Sequence, residues 1–172
     1  MLRVVASIAA LMLIVVSGNA HSAQVADKNF HPKAQNPAFK SDAGPVVAVD
    51  AAHANFHTCD GRYNAFCELM RSDGYKVHSN KEKFTTENLK KIDLLVVANA
   101  LSEKNIDPKQ NWATPILPAF SQRETENLVA WVNEGGSLLL IADHMPCPGA
   151  VSDLALRFGV NWGNNYAFAA DT

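Results

Sequence analysis

The chain has 172 residues, with 15 Lys and Arg side chains against 17 Asp and Glu side chains, and 48% of its residues are hydrophobic. A chain of this length suits one domain around a single core. The nearly balanced charge predicts no nucleic-acid partner and no surface for anionic membranes.

The first twenty residues have the pattern of a secretory signal peptide. Arg3 provides a short basic start, a run from Val4 to Val16 is apolar except for Ser7, and small residues follow at Gly18 and Ala20. This run is shorter than the roughly 20 residues that cross a bilayer, so we expect cleavage after Ala20 and no stable membrane anchor. The mature protein is then expected to be periplasmic or secreted.

Hydrophobic periodicity predicts an alternation of strands and helices after an extended leader at 21–44. The predicted elements of the single domain at 45–172 are, in chain order, a strand at 46–50, a helix at 64–72, a strand at 75–78, a short helix capped by Thr85 or Thr86, a strand at 93–98, a helix from Ser121 to Gly135, a strand at 137–142, a helix at 151–158 and the start of a further strand at 160–162. The strands at 46–50, 93–98 and 137–142 contain continuous apolar runs, which are typical of strands buried on both faces. Alternating strands and helices indicate a parallel sheet between helical layers, a three-layer, flavodoxin-like α/β fold.

Polar residues follow three of the predicted strands. In an open parallel sheet, ligands bind beyond the carboxyl ends of the strands, where the strand order reverses. If the strand order resembles 2-1-3-4-5, the ends of the first, third and fourth strands lie side by side. We therefore expect one shared cleft, which the irregular stretch 101–120 could cover, and its polar residues are Asp50, His53, Asn55, His57, Asn99, Asp143 and His144.

These residue types support two kinds of hydrolytic site. Imidazole and carboxylate ligands favour a divalent metal such as zinc, with Asp50, His53, His57 and His144 as candidate ligands and a metal-bound water as nucleophile. Without a metal, a His beside an Asp is a general acid–base pair, and the predicted catalytic residues are then Asp143, His144 and His53. Plain turn chemistry at strand ends remains an alternative for the same residues.

Three further residues are candidates for binding a substrate. Asn55 and Asn99 lie at the predicted strand ends, and Arg62 precedes the helix at 64–72, where its guanidinium could meet an anionic or carbohydrate ligand. The expected partner is accordingly a small-molecule or envelope-derived ligand.

Cys59, Cys67 and Cys147 are an odd number of cysteines. In an oxidising compartment they allow one disulfide and leave one thiol over, and the sequence does not determine which two are paired.

Several segments resemble an uncharacterised exported bacterial domain of unknown function with a class I glutamine amidotransferase-like fold. The similar segments are Asp50 to Thr58, Gly61 to Tyr63, Asn99 to Leu101 and Gly135 to Pro146. The resemblance covers about residues 45–170 and implies a flavodoxin-like sheet, without an established reaction. It also implies that the domain often continues past the position of Thr172.

The chain departs from the amidotransferases themselves at the residues that carry their chemistry. They resemble one another in a G-x-C-x-G elbow after a strand and in a later His-x-Glu pair, which activates the cysteine. Here Cys147 lies between Pro146 and Pro148, and no His follows His144. We therefore expect no glutamine hydrolysis but a metal-assisted or His/Asp-dependent hydrolase, with a non-catalytic ligand-binding or interaction domain as the alternative.

Overall fold

The computed structural model describes residues 25–106 and 114–167. Its elements are β1 (Val46–Asp50), α1 (Asn64–Ser72), β2 (Lys76–Asn80), α2 (Thr86–Leu89), β3 (Leu94–Ala98), a single 3-10 turn (Glu103–Asn105), α3 (Gln122–Asn133), β4 (Ser137–Ile141) and α4 (Cys147–Arg157). The predicted signal peptide at 1–20 lies outside the described residues. None of the helices in the described ranges is long and apolar enough to cross a membrane.

The four strands form one parallel sheet in the order β2-β1-β3-β4. Val47 of β1 pairs with Leu94 of β3, which in turn pairs with Ser137 of β4. This register brings the carboxyl ends of β1, β3 and β4 to the same edge of the sheet. The predicted flavodoxin-like α/β fold class and the adjacency of these three strand ends are confirmed.

Helices cover the two faces of the sheet unequally. Successive residues of a strand point to opposite faces, so Ala48 and Val49 enter different cores. One face packs against α2, α3 and α4, through buried residues that include Leu89, Leu128 and Leu154. The other face packs against α1, where Cys67 is fully buried. The result is a three-layer arrangement, with α1 on one face of the sheet and α2, α3 and α4 on the other.

Local sequence signals account for the helix boundaries. Ser121 and Glu124 form the predicted capping box at the start of α3, with the Ser121 hydroxyl accepting from the Glu124 backbone N–H. Thr85 caps α2 in the same way, by accepting from the backbone N–H of Asn88. Gly74 follows α1 with φ +93°, and a Cβ there would clash with the carbonyl oxygen of Phe39.

The end of the predicted leader is hydrogen-bonded to the domain. The backbone N–H of Ala38 donates to Asp73 Oδ1 at 2.7 Å, and that of Gly44 donates to the carbonyl oxygen of Gly74 at 2.9 Å. The ring of Phe39 also packs edge-on against Tyr75. Residues 38–44 therefore belong structurally to the domain, although the sequence pattern predicts its start at Pro45.

Three predictions about the second half of the chain are wrong. No residue of β4 is fully buried, because β4 occupies an edge of the sheet. The last helix begins at Cys147 rather than at Val151, since Pro148 fits the first turn of a helix. No strand forms at 160–162, where the chain has no regular secondary structure.

One disulfide joins Cys59, in the loop after β1, to Cys67 in α1, and Cys147 is a buried free cysteine. The structure thus selects one of the pairings that the sequence leaves open.

Candidate functional site

A cleft of about 380 Å³ lies at the carboxyl edge of the sheet. We call it the edge cleft, and its lining residues are Val25, His57, Arg62, Tyr63, Asn99, Ile141 and Asp143. The loop after β1 supplies His57 and Arg62, whereas Asn99 follows β3 and Asp143 follows β4. Four of the predicted site residues are therefore brought together, as the strand order requires.

Asn99 fixes the position of Asp143. Its backbone N–H donates to the carbonyl oxygen of Ile141 at 2.9 Å, and its Oδ1 accepts from the backbone N–H of Asp143 at 3.2 Å. Asn99 adopts φ +53°, in the left-handed region that asparagine tolerates better than most residues. The side chain predicted to bind substrate thus also braces the turn that presents Asp143.

His57 has an unusual environment within the edge cleft. Its Nδ1 atom is buried and has no hydrogen-bond partner among the described residues, and its ring packs edge-on against Tyr63 at 5.2 Å. Burial lowers the pKa of His57, and the neighbouring Arg62 guanidinium lowers it further, while the Asp143 carboxylate acts in the opposite direction. His57 therefore favours the neutral imidazole form near neutral pH, the form that can accept a proton.

Asp143 and His144 form the pair predicted from the sequence. His144 Nδ1 lies 3.4 Å from Asp143 Oδ1, and the two side chains are 45% and 56% exposed respectively. The Nδ1 atom itself is buried and makes no hydrogen bond within the part of the chain that the structure describes, because the contact with Asp143 lacks hydrogen-bond geometry. Burial, followed by the Asp143 carboxylate, raises the pKa of Tyr63. The phenol of Tyr63 therefore remains protonated at neutral pH.

Asp50 and His53 belong to a different, buried network. Asp50 is fully buried and His53 is 1% exposed. His53 Nδ1 lies 2.9 Å from Asp50 Oδ1, and His53 Nε2 lies 3.0 Å from Glu124 Oε1. Asn55 Nδ2 donates to Asp50 Oδ2 at 3.0 Å. Both ring nitrogens of His53 are therefore within hydrogen-bond distance of a carboxylate oxygen.

The prediction of one shared cleft is therefore wrong for Asp50, His53 and Asn55. Burial keeps Asp50 and His53 away from solvent, and neither ring nitrogen of His53 is left for a metal or a reacting group. Asn55 Nδ2 is directed to Asp50, while its Oδ1 accepts from the backbone N–H of His57 at 3.2 Å. The three residues instead hold the loop that carries His57.

Glu124 is the member of this network that sequence reasoning missed. Burial raises the pKa of Glu124, but hydrogen bonds from the Ser121 backbone, the Ser121 hydroxyl and His53 outweigh it and lower the pKa from 4.5 to about 2. The sequence predicts the capping box, which accounts for the hydrogen bonds of Glu124 Oε2 but not for those of Oε1. The contact of Oε1 with His53 joins residues 71 positions apart and has no local signal.

The described part of the stretch 101–120 does not cover the edge cleft. It lines a separate cavity of about 730 Å³ together with residues that include Lys83, Phe84 and Glu124. The predicted lid is therefore wrong for residues 101–106 and 114–120, while residues 107–113 lie outside the described residues.

Cys147 lies close to Asp143 and His144. The ligand-capable atoms of the three residues all lie within 4.8 Å of one another. Cys147 is 3% exposed, and burial, with a smaller contribution from the Asp143 carboxylate, raises the pKa of its thiol to about 11. From the sequence we interpret Cys147 only as the third cysteine, although its D-H-x-x-C spacing from Asp143 and His144 is a signal that could have identified it.

Comparisons with family models, with curated proteins and with solved structures give no significant match to this chain.

Proposed function

We propose that the protein is an exported hydrolase with a His/Asp-dependent site in the edge cleft, acting on a small-molecule or envelope-derived substrate. The observation that carries this proposal is that His57 and Asp143, from the ends of two different strands, line one solvent-accessible cleft. Export is supported by the signal-peptide pattern at 1–20 and by the Cys59–Cys67 disulfide, since disulfides persist in oxidising compartments.

The first step assigned to the cleft is activation of water by His57. The lowered pKa of His57 leaves an imidazole that can take a proton from water as its oxygen attacks a substrate carbonyl carbon. The carboxylate of Asp143 lies close enough to stabilise the resulting imidazolium. The proton then passes to the leaving group as the bond between carbon and leaving group breaks.

Arg62 provides positive charge at the mouth of the cleft. Its guanidinium lies over the ring of Phe56, 5.2 Å from the ring centroid, and Phe56 is exposed rather than part of the core. An exposed aromatic ring with a guanidinium above it is a suitable surface for an anionic or sugar-containing group. We therefore assign two roles to Arg62. It binds the substrate, and it stabilises the negative charge that develops on the carbonyl oxygen.

The same geometry argues against amidotransferase chemistry within the resemblance noted above. A catalytic cysteine reacts as an accessible thiolate of low pKa. Cys147 is buried, and its pKa is raised by burial and by Asp143. Together with the missing G-x-C-x-G elbow, this supports a domain of that type without glutamine hydrolysis.

Hydrolysis of chromogenic esters, amides and glycosides by the purified protein tests the proposal. His57→Gln and Asp143→Asn are expected to lower kcat/KM on any accepted substrate by about 100-fold or more. His78→Gln and Asp153→Asn are matched controls on the exposed surfaces of β2 and α4, and we expect them to leave kcat/KM unchanged.

The non-catalytic alternative makes the opposite prediction. It is favoured by one observation, that His53 is held between two carboxylates and leaves fewer imidazoles for catalysis. A ligand that raises the Tm of the protein, loses this effect in Arg62→Gln and is never turned over would establish a binding domain. Turnover that disappears in His57→Gln would exclude it.

A further inference from the structure

We infer that Asp143, His144 and Cys147 form a binding site for one divalent transition metal ion of the zinc class. The site contains one oxygen, one nitrogen and one sulfur ligand, all supplied by the turn after β4 and the first residue of α4. It shares Asp143 with the edge cleft. A catalytic use of the bound ion rests on the proposed hydrolase, whereas the binding of the ion does not.

The distances are close to those of a bound ion. Ligand atoms of tetrahedral zinc are separated by about 3.3 to 3.7 Å, given zinc–ligand distances of about 2.0 to 2.3 Å. His144 Nδ1 and Asp143 Oδ1 already lie 3.4 Å apart. No pair of ligand atoms in the set is separated by more than 4.8 Å. Small side-chain rotations would therefore complete the triangle without moving β4 or α4.

The hydrogen-bonding state of His144 is the second observation that points to a ligand. Its Nδ1 atom is buried, lies 3.4 Å from Asp143 Oδ1, and has no hydrogen-bond partner among the described residues. A buried polar nitrogen without a partner carries a desolvation cost that a metal ligand bond would remove. The ring itself is held edge-on against Tyr166 at 5.1 Å, which restricts its orientation.

The chemistry of the three ligands selects the class of metal. A thiolate ligand disfavours calcium and magnesium, which prefer oxygen, whereas zinc accepts sulfur, nitrogen and oxygen together. Three protein ligands also leave a fourth position for water, which is typical of catalytic rather than structural zinc. This set of ligands differs from the set predicted from the sequence. Asp50 and His53 are hydrogen-bonded within the buried network, and Cys147 is a ligand instead.

Binding of Zn²⁺ and Co²⁺ alone tests the site. The probe protein is purified without a polyhistidine tag, with its disulfide intact and without added thiol, and is freed of metal by a chelator. We expect one equivalent of Zn²⁺ by calorimetry, and one equivalent of Co²⁺ with a thiolate-to-cobalt charge-transfer absorption band. His144→Gln and Asp143→Asn should each weaken binding by more than about 100-fold, since loss of an outer-shell partner alone costs 10–100-fold.

Cys147→Ser should abolish the charge-transfer band, and His78→Gln should change neither affinity nor spectrum. Absence of saturable binding would overturn the inference, as would a Co²⁺ complex whose band survives in Cys147→Ser. If Cys147→Ser does not fold, unchanged Zn²⁺ affinity in the variant of the half-exposed His144, His144→Gln, would also overturn it.

The outcomes separate this site from the proposed function. Metal binding without turnover would sustain the site and remove the hydrolase. Turnover that is unaffected by Zn²⁺, in a protein that binds no metal, would sustain the hydrolase and overturn the site.

Discussion

His53 Nε2 lies 3.0 Å from Glu124 Oε1 while its Nδ1 lies 2.9 Å from a second carboxylate, Asp50 Oδ1, so that a single imidazole ties the end of β1 to the first turn of α3. The rings of Phe84 and Phe120 pack against it at 4.6 and 4.9 Å. A buried hydrogen-bonded chain of this kind, packed against aromatic rings, is sensitive to the loss of any member.

Removal of Glu124 is expected to destabilise the protein strongly. Glu124→Ala leaves His53 with one carboxylate partner instead of two, and it deprives Ser121 and the backbone N–H of Phe84 of their acceptor. Breaking a buried charged pair from one side costs about 3–5 kcal/mol. Urea unfolding should show a loss of this size for Glu124→Ala and a change within about 0.5 kcal/mol for Glu126→Ala, on the exposed side of the same helix. Equal losses in both variants would show that the network contributes nothing.

The same carboxylate should control the stability of the protein in acid. The pKa of Glu124 is lowered from 4.5 to about 2 in the folded protein, so its stabilising effect is fully present above pH 4.5 and is lost as the pH falls through 2. Unfolding free energies measured between pH 5 and 2 should therefore fall more steeply in the wild type than in Glu124→Gln. Parallel pH profiles for the two proteins would contradict the lowered pKa.

His57 should titrate below its ordinary pKa, and two substitutions should shift it in opposite directions. Burial and Arg62 lower the pKa of His57 from 6.5, and Asp143 raises it. Arg62→Gln should therefore raise the pKa, whereas Asp143→Asn should lower it further. Titration of the histidine ring protons by NMR measures both shifts, with the exposed His78 as the internal reference. Shifts of the same sign in the two variants would show that His57 does not lie between these charges.

The strands, the helices and the parallel class of the sheet could be predicted because their causes are local. Continuous apolar runs such as Val46–Val49 define buried strands, and the S-x-x-E signal at Ser121 defines the start of α3. Once strands alternate with helices, a parallel sheet with right-handed crossovers is expected. The order of the strands within that sheet was an assumption of the prediction, because the crossover rule allows more than one order. The edge position of β4 could not be predicted in this way. Leu139 lies in an apolar run, and such a run looks the same in the sequence whether the strand is central or at an edge.

The division of the polar residues between two sites has no local cause. His53 and His57 are four positions apart in one loop, yet His53 turns into the core and His57 lines the cleft. The difference arises because Glu124, 71 positions further along the chain, presents a carboxylate to His53. The packing of α3 on the sheet determines this partner. The spacing of residues within the loop carries no information about that packing.

The last prediction concerns the reactivity of the three cysteines. Cys59 and Cys67 are joined across a separation of 8 residues, and Cys147 is buried and free, with its pKa raised to about 11 by burial and by Asp143. A thiol reagent at neutral pH should therefore react slowly with the folded protein, with one thiol per chain in denaturant, and with three after reduction.

Replacing both members of the disulfide by serine should cost about 2–4 kcal/mol, because the unfolded chain gains the freedom that the short covalent loop removes. Cys147→Ala lacks this effect on the unfolded state and is the matched control for removal of a buried cysteine. Peptide mapping that found the free thiol at Cys59 or Cys67 would contradict the pairing, and it would also remove Cys147 from the set of ligands available to a metal ion.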